Sequence, residues 1–330
     1  MKHHFADWLD RTDGHWTMTP NVERWRHHHP DVATAAATTR VLTITGTDVN
    51  WEAVATLTQL EELTLDTPRP AQLAFVAKLV GLKRLRVTHA RPASLEFVRA
   101  LVRLEEVVLE YVSGFDDLAP LAVLPKLRAL HLENLRRVAD FSGLSGARQL
   151  RCLAIDGTLD WSQPIRDLAF VSEMARLEAL RLGAVRVAAR FPALAPVARL
   201  PRLKKVTLGG STFPLEEYAF LQAMRPRVAG ATSEPYWISP GGRVAVRSPD
   251  VRATMPAAEF RALRGAVLTE RGERYMDEPE VTYFLGKGER IAEGASPAVL
   301  ARRARHAATF ATLVASYRNA PRRRSRRPSS

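Results

Sequence analysis

The chain has 330 residues and a mass of 36.7 kDa, with 46% hydrophobic, 25% charged and 7% aromatic residues, a profile that excludes a largely disordered chain and leaves ample material for a core. Its one cysteine, Cys152, excludes an intrachain disulfide and a cysteine-built zinc site, no run approaches the roughly 18 apolar residues of a membrane span, and the first residues lack the apolar stretch of a signal peptide, so a cytoplasmic protein is expected. The net charge of +13 rests on 41 Arg and only 7 Lys, the skew of a GC-rich bacterial genome, and it is uneven: 30 basic against 25 acidic side chains in residues 1–230, but 18 against 10 in residues 231–330.

Residues 1–38 carry three of the six tryptophans, Trp8, Trp16 and Trp25. An aromatic, helical segment of this kind is expected to cap the first core layer of whatever follows. His27-His28-His29-Pro30 reads as a solvated helix end rather than a metal site. Adjacent histidines point in different directions, and no His or Glu stands four residues on to complete a zinc-like set.

From about residue 39 to 230 a repeat governs the chain. Leu60-x-x-Leu63-x-Leu65 recurs as Leu82/Leu85/Val87, Leu104/Val107/Leu109, Leu127/Leu130/Leu132, Leu150/Leu153/Ile155, Leu177/Leu180/Leu182 and Leu203/Val206/Leu208, after a degenerate copy at Leu42/Ile44. Each copy is preceded by three apolar residues at three-residue spacing, such as Leu73/Val76/Leu79, Leu95/Val98/Leu101 and Leu118/Leu121/Leu124. The L-x-L half predicts a short strand with alternate residues inward, and the three-residue spacing predicts a 3₁₀ or single-turn helix on the same core. Neither element buries its face alone, whereas stacked copies do.

This pattern resembles the leucine-rich repeat family, in its short-period, internalin-like class of about 22 residues per repeat. The resemblance covers some 190 residues and implies an α/β solenoid of about eight repeats, with a curved parallel β-sheet on the concave side and 3₁₀ or short helices on the convex side. The family usually places Asn three residues after the last strand leucine. Here that position holds Pro68, Ala90, Val112, Leu135, Thr158, Val185 and Ser211, so the turns are expected to rely on apolar packing and backbone bonds.

Residues 231–318 leave the repeat and read as a small α+β appendage packed on the solenoid. Tyr236-Trp237-Ile238-Ser239 and Arg243-Val244-Ala245-Val246-Arg247 around Pro240-Gly241-Gly242 suggest a hairpin, and residues 256–269 a helix. Val281 to Leu285, with Gly286-Lys287-Gly288 and Glu289 to Ala292, suggests a second hairpin. A last helix starts at Ser296-Pro297 with Leu300, Ala304, Ala307, Phe310, Ala311, Val314 and Tyr317 on its apolar stripe. Residues 319–330 form an Arg-rich tail expected to be disordered; Arg322, Arg323, Arg324, Arg326 and Arg327 are its candidate nucleic-acid contacts.

No catalytic signature stands out. Gly143-Leu144-Ser145-Gly146-Ala147 lacks the last glycine of a nucleophile elbow, Gly286-Lys287-Gly288 fits neither a P-loop nor a dinucleotide fingerprint, and Cys152 has no local base. No cofactor, metal or catalytic residue is assigned. The concave columns are more informative. The one after the second strand leucine reads Thr45, Asp66, Thr88, Glu110, Glu133, Asp156, Gly183 and Gly209, half acidic and without a base. The one between the leucines holds Arg86, His131 and Arg181, and the next column out holds Tyr111.

Such positions are expected to face solvent inside the curve. They predict a non-catalytic protein-interaction module that binds a protein with a basic surface through Asp66, Arg86, Glu110, Tyr111, His131, Glu133, Asp156 and Arg181, an inhibitor or immunity-type protein being its specific form. The alternative is nucleic-acid association through the basic C-terminal unit and tail. No membrane partner is expected, and oligomeric state is not legible.

Overall fold

Each copy of the leucine motif forms one short strand. The strands are β1 (Val41–Thr45), β2 (Glu62–Asp66), β3 (Arg84–Thr88), β4 (Glu106–Glu110), β5 (Ala129–Glu133), β6 (Cys152–Asp156), β8 (Ala179–Gly183) and β10 (Lys205–Leu208). In the computed structural model, which describes residues 16–158, 160–245, 267–268 and 274–319, they make one eight-stranded parallel sheet in chain order. The register has no stagger: Leu42, Leu63, Leu85, Val107, Leu130, Leu153, Leu180 and Val206 lie side by side. Parallel in-register pairing follows from the repeat itself, because each copy must place its leucines over those of the last. Strands β7 (Gln163–Ile165) and β9 (Val185–Val187) form a separate parallel pair within the two long repeats.

The convex side carries 3₁₀ turns such as Trp51–Thr56, Glu96–Val98, Ser142–Leu144 and Ala169–Glu173, and the short helices α1 (Pro70–Phe75), α2 (Ala119–Ala122) and α3 (Ala195–Ala198). Three residues per turn is the 3₁₀ period, so the x-x-φ spacing keeps every apolar side chain on one line toward the sheet. Prolines in the first turn of α1, α2 and α3 pre-set the helical φ where no amide is needed. The strand and convex leucines merge into one continuous core along the whole solenoid.

The sheet ladder extends one residue beyond the strands β2 to β6. Thr67, His89, Tyr111, Asn134 and Ala184 all adopt left-handed backbone, with φ between 48° and 55°. The amides of Thr67, His89, Tyr111 and Asn134 donate to the last carbonyl of the next strand at 2.9–3.0 Å. The turns beyond them are only partly held as expected. Ala90, Val112, Leu135 and Val185 pack in the core, but three long polar side chains supply bonds that the absent asparagines would have made. Gln163 accepts from the Leu135 amide at 2.8 Å and donates to the Val138 carbonyl at 2.7 Å. Gln72 donates to the Thr45 carbonyl, and the buried Glu217 accepts from the Ala193 and Leu194 amides.

At the N-terminal edge, residues 16–38 of the expected cap carry two 3₁₀ turns, Arg24–His27 and Val32–Thr34, with His28 bridging to Thr43 and Asp31 to Val49 alongside β1, while residues 1–15 of that cap lie outside the described residues. His28 is not merely solvated: its Nε2 lies 3.0 Å from both Asp48 oxygens.

At the other end α4 (Leu215–Met224) closes the last repeat and packs against α5 (Pro297–Asn319). Leu285, Phe310 and Val314 join the solenoid core there. Ser296 caps α5 as expected, its hydroxyl accepting from the Val299 amide at 3.3 Å. The buried face is rotated from the predicted stripe, however: Arg303, His306, Phe310 and Val314 are buried, while Leu300, Ala304 and Ala311 are exposed. Polar anchors set that rotation, Arg303 bonding Thr282 and Glu280 and His306 the Leu285 carbonyl.

The first predicted hairpin is also corrected. Strand β11 (Tyr236–Ser239) pairs antiparallel not with β12 (Gly242–Ala245) but with β15 (Val281–Phe284), and β12 pairs with β14 (Arg274–Glu278). Val267–Leu268, placed at the end of a predicted helix, forms the strand β13 on β14; residues 256–266 lie outside the described residues. The second hairpin stands, β15 pairing antiparallel with β16 (Ala292–Glu293).

Candidate functional site

The concave face is not open to solvent where the carboxylates stand. Residues 16–24 cross it perpendicular to the strands, from above β4–β6 down to β1. Trp16 and Met18 are buried against Val108, Ala129, Cys152 and Ala154, which form an apolar patch on the concave side of β4–β6. Burying two such side chains is worth about 1.5–3 kcal/mol each.

Polar contacts fix the path of this strap. Glu106, fully buried at the start of β4, accepts the Thr17 amide at 3.0 Å, the Thr17 hydroxyl at 2.7 Å and the Met18 amide at 2.7 Å, and also pairs with Arg128. Glu62 accepts the Thr19 amide at 2.9 Å and Arg84 Nε at 2.7 Å. Arg86, with no exposed surface, donates to Asn21 Oδ1 at 3.0 Å and the Thr19 carbonyl at 3.2 Å. Arg24 reaches Asp66 at 2.9 Å, and its carbonyl accepts the Thr43 hydroxyl.

The predicted partner-binding residues separate accordingly. Asp66 is half-buried; burial favours its neutral form, but the His89 hydrogen bond, the Arg24 charge and the hydroxyls of Thr88 and Thr67 outweigh it and hold the carboxyl well below the usual range. Glu110, His131, Glu133 and Asp156 are fully buried, and Glu110 and Glu133 each have an interaction partner. Asp156 bridges His131 Nε2 at 3.1 Å and Arg181 Nε at 3.0 Å, so these three stand together as one cluster. The expectation that this column faces solvent is therefore corrected for β4–β6.

Tyr111 stands apart on the rim at the C-terminal ends of the strands, stacked on His89 with ring centroids 4.9 Å apart. Burial, and then the Glu133 and Glu110 carboxylates, push its phenol up. Cys152 lies beneath the strap, and burial, reinforced by Glu106, raises its thiol to about 12. The candidate nucleic-acid residues Arg322, Arg323, Arg324, Arg326 and Arg327 lie outside the described residues.

Sequence reasoning missed Trp16, Met18, Glu62 and Glu106. A signal existed: Val108 and Ala154, apolar at positions assigned to solvent, with Ala129 and Cys152 opening the flanking strands, mark a patch that needs a cover.

Eight parallel strands in leucine register, five of them leaving through a left-handed residue, with 3₁₀ or short helical segments on the return, decide the architecture. The fold is a leucine-rich repeat solenoid. No family model and no curated protein matches the sequence. Among solved structures the chain is similar to the internalin InlF of Listeria monocytogenes, at 18% identity and a TM-score of 0.40 over 51% of this chain and 48% of that one, so it spans about half of that protein's length. It is also similar to the functional domain of InlJ from Listeria monocytogenes, at 12% identity and a TM-score of 0.41 over 75% of this chain and 66% of that one. A leucine-rich repeat protein of Leptospira interrogans is matched at 14% identity and a TM-score of 0.38, over 64% and 58% of the two chains. Within this solenoid no described helix is long and apolar enough to cross a membrane.

Proposed function

We propose that the chain is a non-catalytic protein-interaction module that receives an extended, basic segment of a protein partner on its concave face, in exchange for its own residues 16–24. The observation that carries this reading is that the face already holds a polypeptide. Carboxylates of β2 and β4 accept the strap's backbone amides, and Asp66 takes its Arg24. The same donors and acceptors suit any extended segment that brings amides and a cation, and the apolar patch of β4–β6 suits a large side chain in the place of Trp16.

The predicted partner residues keep their role within this reading, reached after the strap leaves. Its specific form is an inhibitor- or immunity-type protein that covers a basic enzyme in a one-to-one complex.

The test is retention of proteins from native lysate by three full-length forms: wild type, Trp16→Ser/Met18→Ser, and Glu110→Lys/Glu133→Lys. The strap variant should retain more of a basic protein than wild type, and the charge-reversed form should retain less. Equal retention by all three would sink the reading.

A further inference from the structure

The rim at the C-terminal ends of β3–β5 carries a second surface of opposite charge, built by the same register that aligns the leucines. One residue past each strand stand His89, Tyr111 and Asn134; two further on stand Arg91, Ser113 and Arg136. These two short columns line a cavity of about 360 Å³. A second cavity of about 540 Å³ continues from it, sharing His89 and Arg91, and its walls are mainly apolar, with Pro68, Pro70, Leu73, Pro92 and Phe97. Both volumes fall in the range of ligand-binding clefts.

No carboxylate lines either cavity. On the strap and along the sheet, Arg24, Arg84, Arg128, Arg151 and Arg181 face carboxylates of their own chain. Arg91 and Arg136 have no ion pair among the described residues, and both are exposed. Arg136 instead donates to Asn134 Oδ1 at 3.4 Å and lies over the Trp161 ring, 5.9 Å from its centre. His89 is fixed from two sides, by Tyr111 stacked on it and by Asp66 3.7 Å from its Nδ1.

Spacing sets what fits. Arg91 follows β3 and Arg136 follows β5, so their backbones are two strand spacings apart, roughly 10 Å. One oxyanion gripped by both is disfavoured at that separation. Two carboxylates three residues apart on a polyproline II segment, which has three residues per turn and rises about 3.1 Å per residue, share one side and match it. The apolar trough lies on the Arg91 side, away from Arg136.

We propose that this rim cleft docks an acidic polyproline II segment of a protein partner, with the order apolar–x–x–acidic–x–x–acidic, seating the apolar side chain in the trough and the two carboxylates on Arg91 and Arg136. Guanidinium–carboxylate pairing, with Tyr111, Ser113 and Asn134 as neutral donors beside it, supplies the recognition. No strap residue lines the site, so it stands or falls apart from the proposed exchange.

The experiment is fluorescence anisotropy of the full chain with a labelled peptide Leu-Pro-Ser-Glu-Pro-Ser-Glu, against the same peptide with both Glu replaced by Gln and a peptide with one phosphoserine in place of both Glu. The Glu peptide should bind at least tenfold more tightly than the Gln peptide, and less tightly as salt rises. Arg91→Glu and Arg136→Glu should each weaken binding tenfold or more without moving the melting temperature, since both side chains are exposed; the Lys variants should retain most of it. Trp16→Ser/Met18→Ser, which loosens the strap and touches no residue of the cleft, should leave it unchanged. Equal binding of the Glu and Gln peptides, tighter binding of the phosphoserine peptide, or indifference to both Arg→Glu variants would overturn the proposal.

Discussion

Glu106 accepts the backbone amide of Met18 at 2.7 Å across 88 residues of sequence, and through that bond the start of the described chain is tied to the middle of the sheet. The same carboxylate takes the Thr17 amide and hydroxyl, so it is the best-satisfied anchor of the strap. Removing it leaves the buried Met18 amide and the partly buried Thr17 amide and hydroxyl unpaired. Glu106→Ala should cost about 2–3 kcal/mol, read as a lower melting temperature. Amides of residues 17–19 should exchange faster in the variant while those of β5 and β6 remain protected. Uniformly faster exchange across the solenoid would mean that the strap is part of the global folding unit and does not open by itself.

Cys152 reports on the same opening. Its thiol is buried beneath Trp16 and Met18 and raised to about 12, so at pH 8 a thiol reagent should modify the wild type very slowly. Trp16→Ser/Met18→Ser should accelerate modification by an order of magnitude or more. Rapid labelling of the folded wild type would contradict a seated strap.

Much of this architecture was legible because the repeat fixes it twice, once in the strand leucines and once in the x-x-φ spacing of the convex side. The in-register pairing of Leu63, Leu85 and Leu130 needed no further information. What escaped were contacts between segments far apart in sequence. Thr17, Thr19 and Asn21 are ordinary surface residues by type, and nothing local announces that they seek Glu106, Glu62 and Arg86. The exchanged pairing of β11 and β12 failed for a related reason. Two short strands around Pro240-Gly241-Gly242 satisfy hairpin chemistry locally, yet tertiary pairing with β15 and β14 won. Of the predicted site, Asp156, His131 and Arg181 do converge, whereas Tyr111 belongs to the rim.

Gln163 gives the sharpest test of how the turns are held. It stands in the insertion of a long repeat and bonds both the amide of Leu135 and the carbonyl of Val138, with no exposed surface. Gln163→Leu preserves much of the volume but strands both backbone groups, so a loss of about 2–3 kcal/mol is expected. Gln163→Glu keeps the acceptor for Leu135 while losing the donor to Val138, and should also destabilise at neutral pH. A melting temperature unchanged in both variants would return the turn to apolar packing alone.

Acid should unfold this protein through its carboxylate clusters. Glu61 is lowered to about 2 by hydrogen bonds from Lys83 and Arg40, and Glu178 to about 2, chiefly by its bond from Arg151 with Lys204 adding to it against burial. With Asp66 lowered as well, these groups bind protons more weakly folded than unfolded. Their stabilisation is therefore complete above the unfolded carboxylate range, near pH 4, and is lost as pH falls toward 2. Glu217 runs the other way: burial raises it, so its contribution is present in acid and lost as pH rises through its folded value. With Asp140 also lowered by the Ser142 amide, four lowered groups against one raised group set the net sign. Urea midpoints measured from pH 6 to pH 2 should fall below pH 4, Glu178→Gln should flatten that fall, and Glu217→Gln should leave it in place. Midpoints that stay level or rise in acid would contradict this assignment of the clusters.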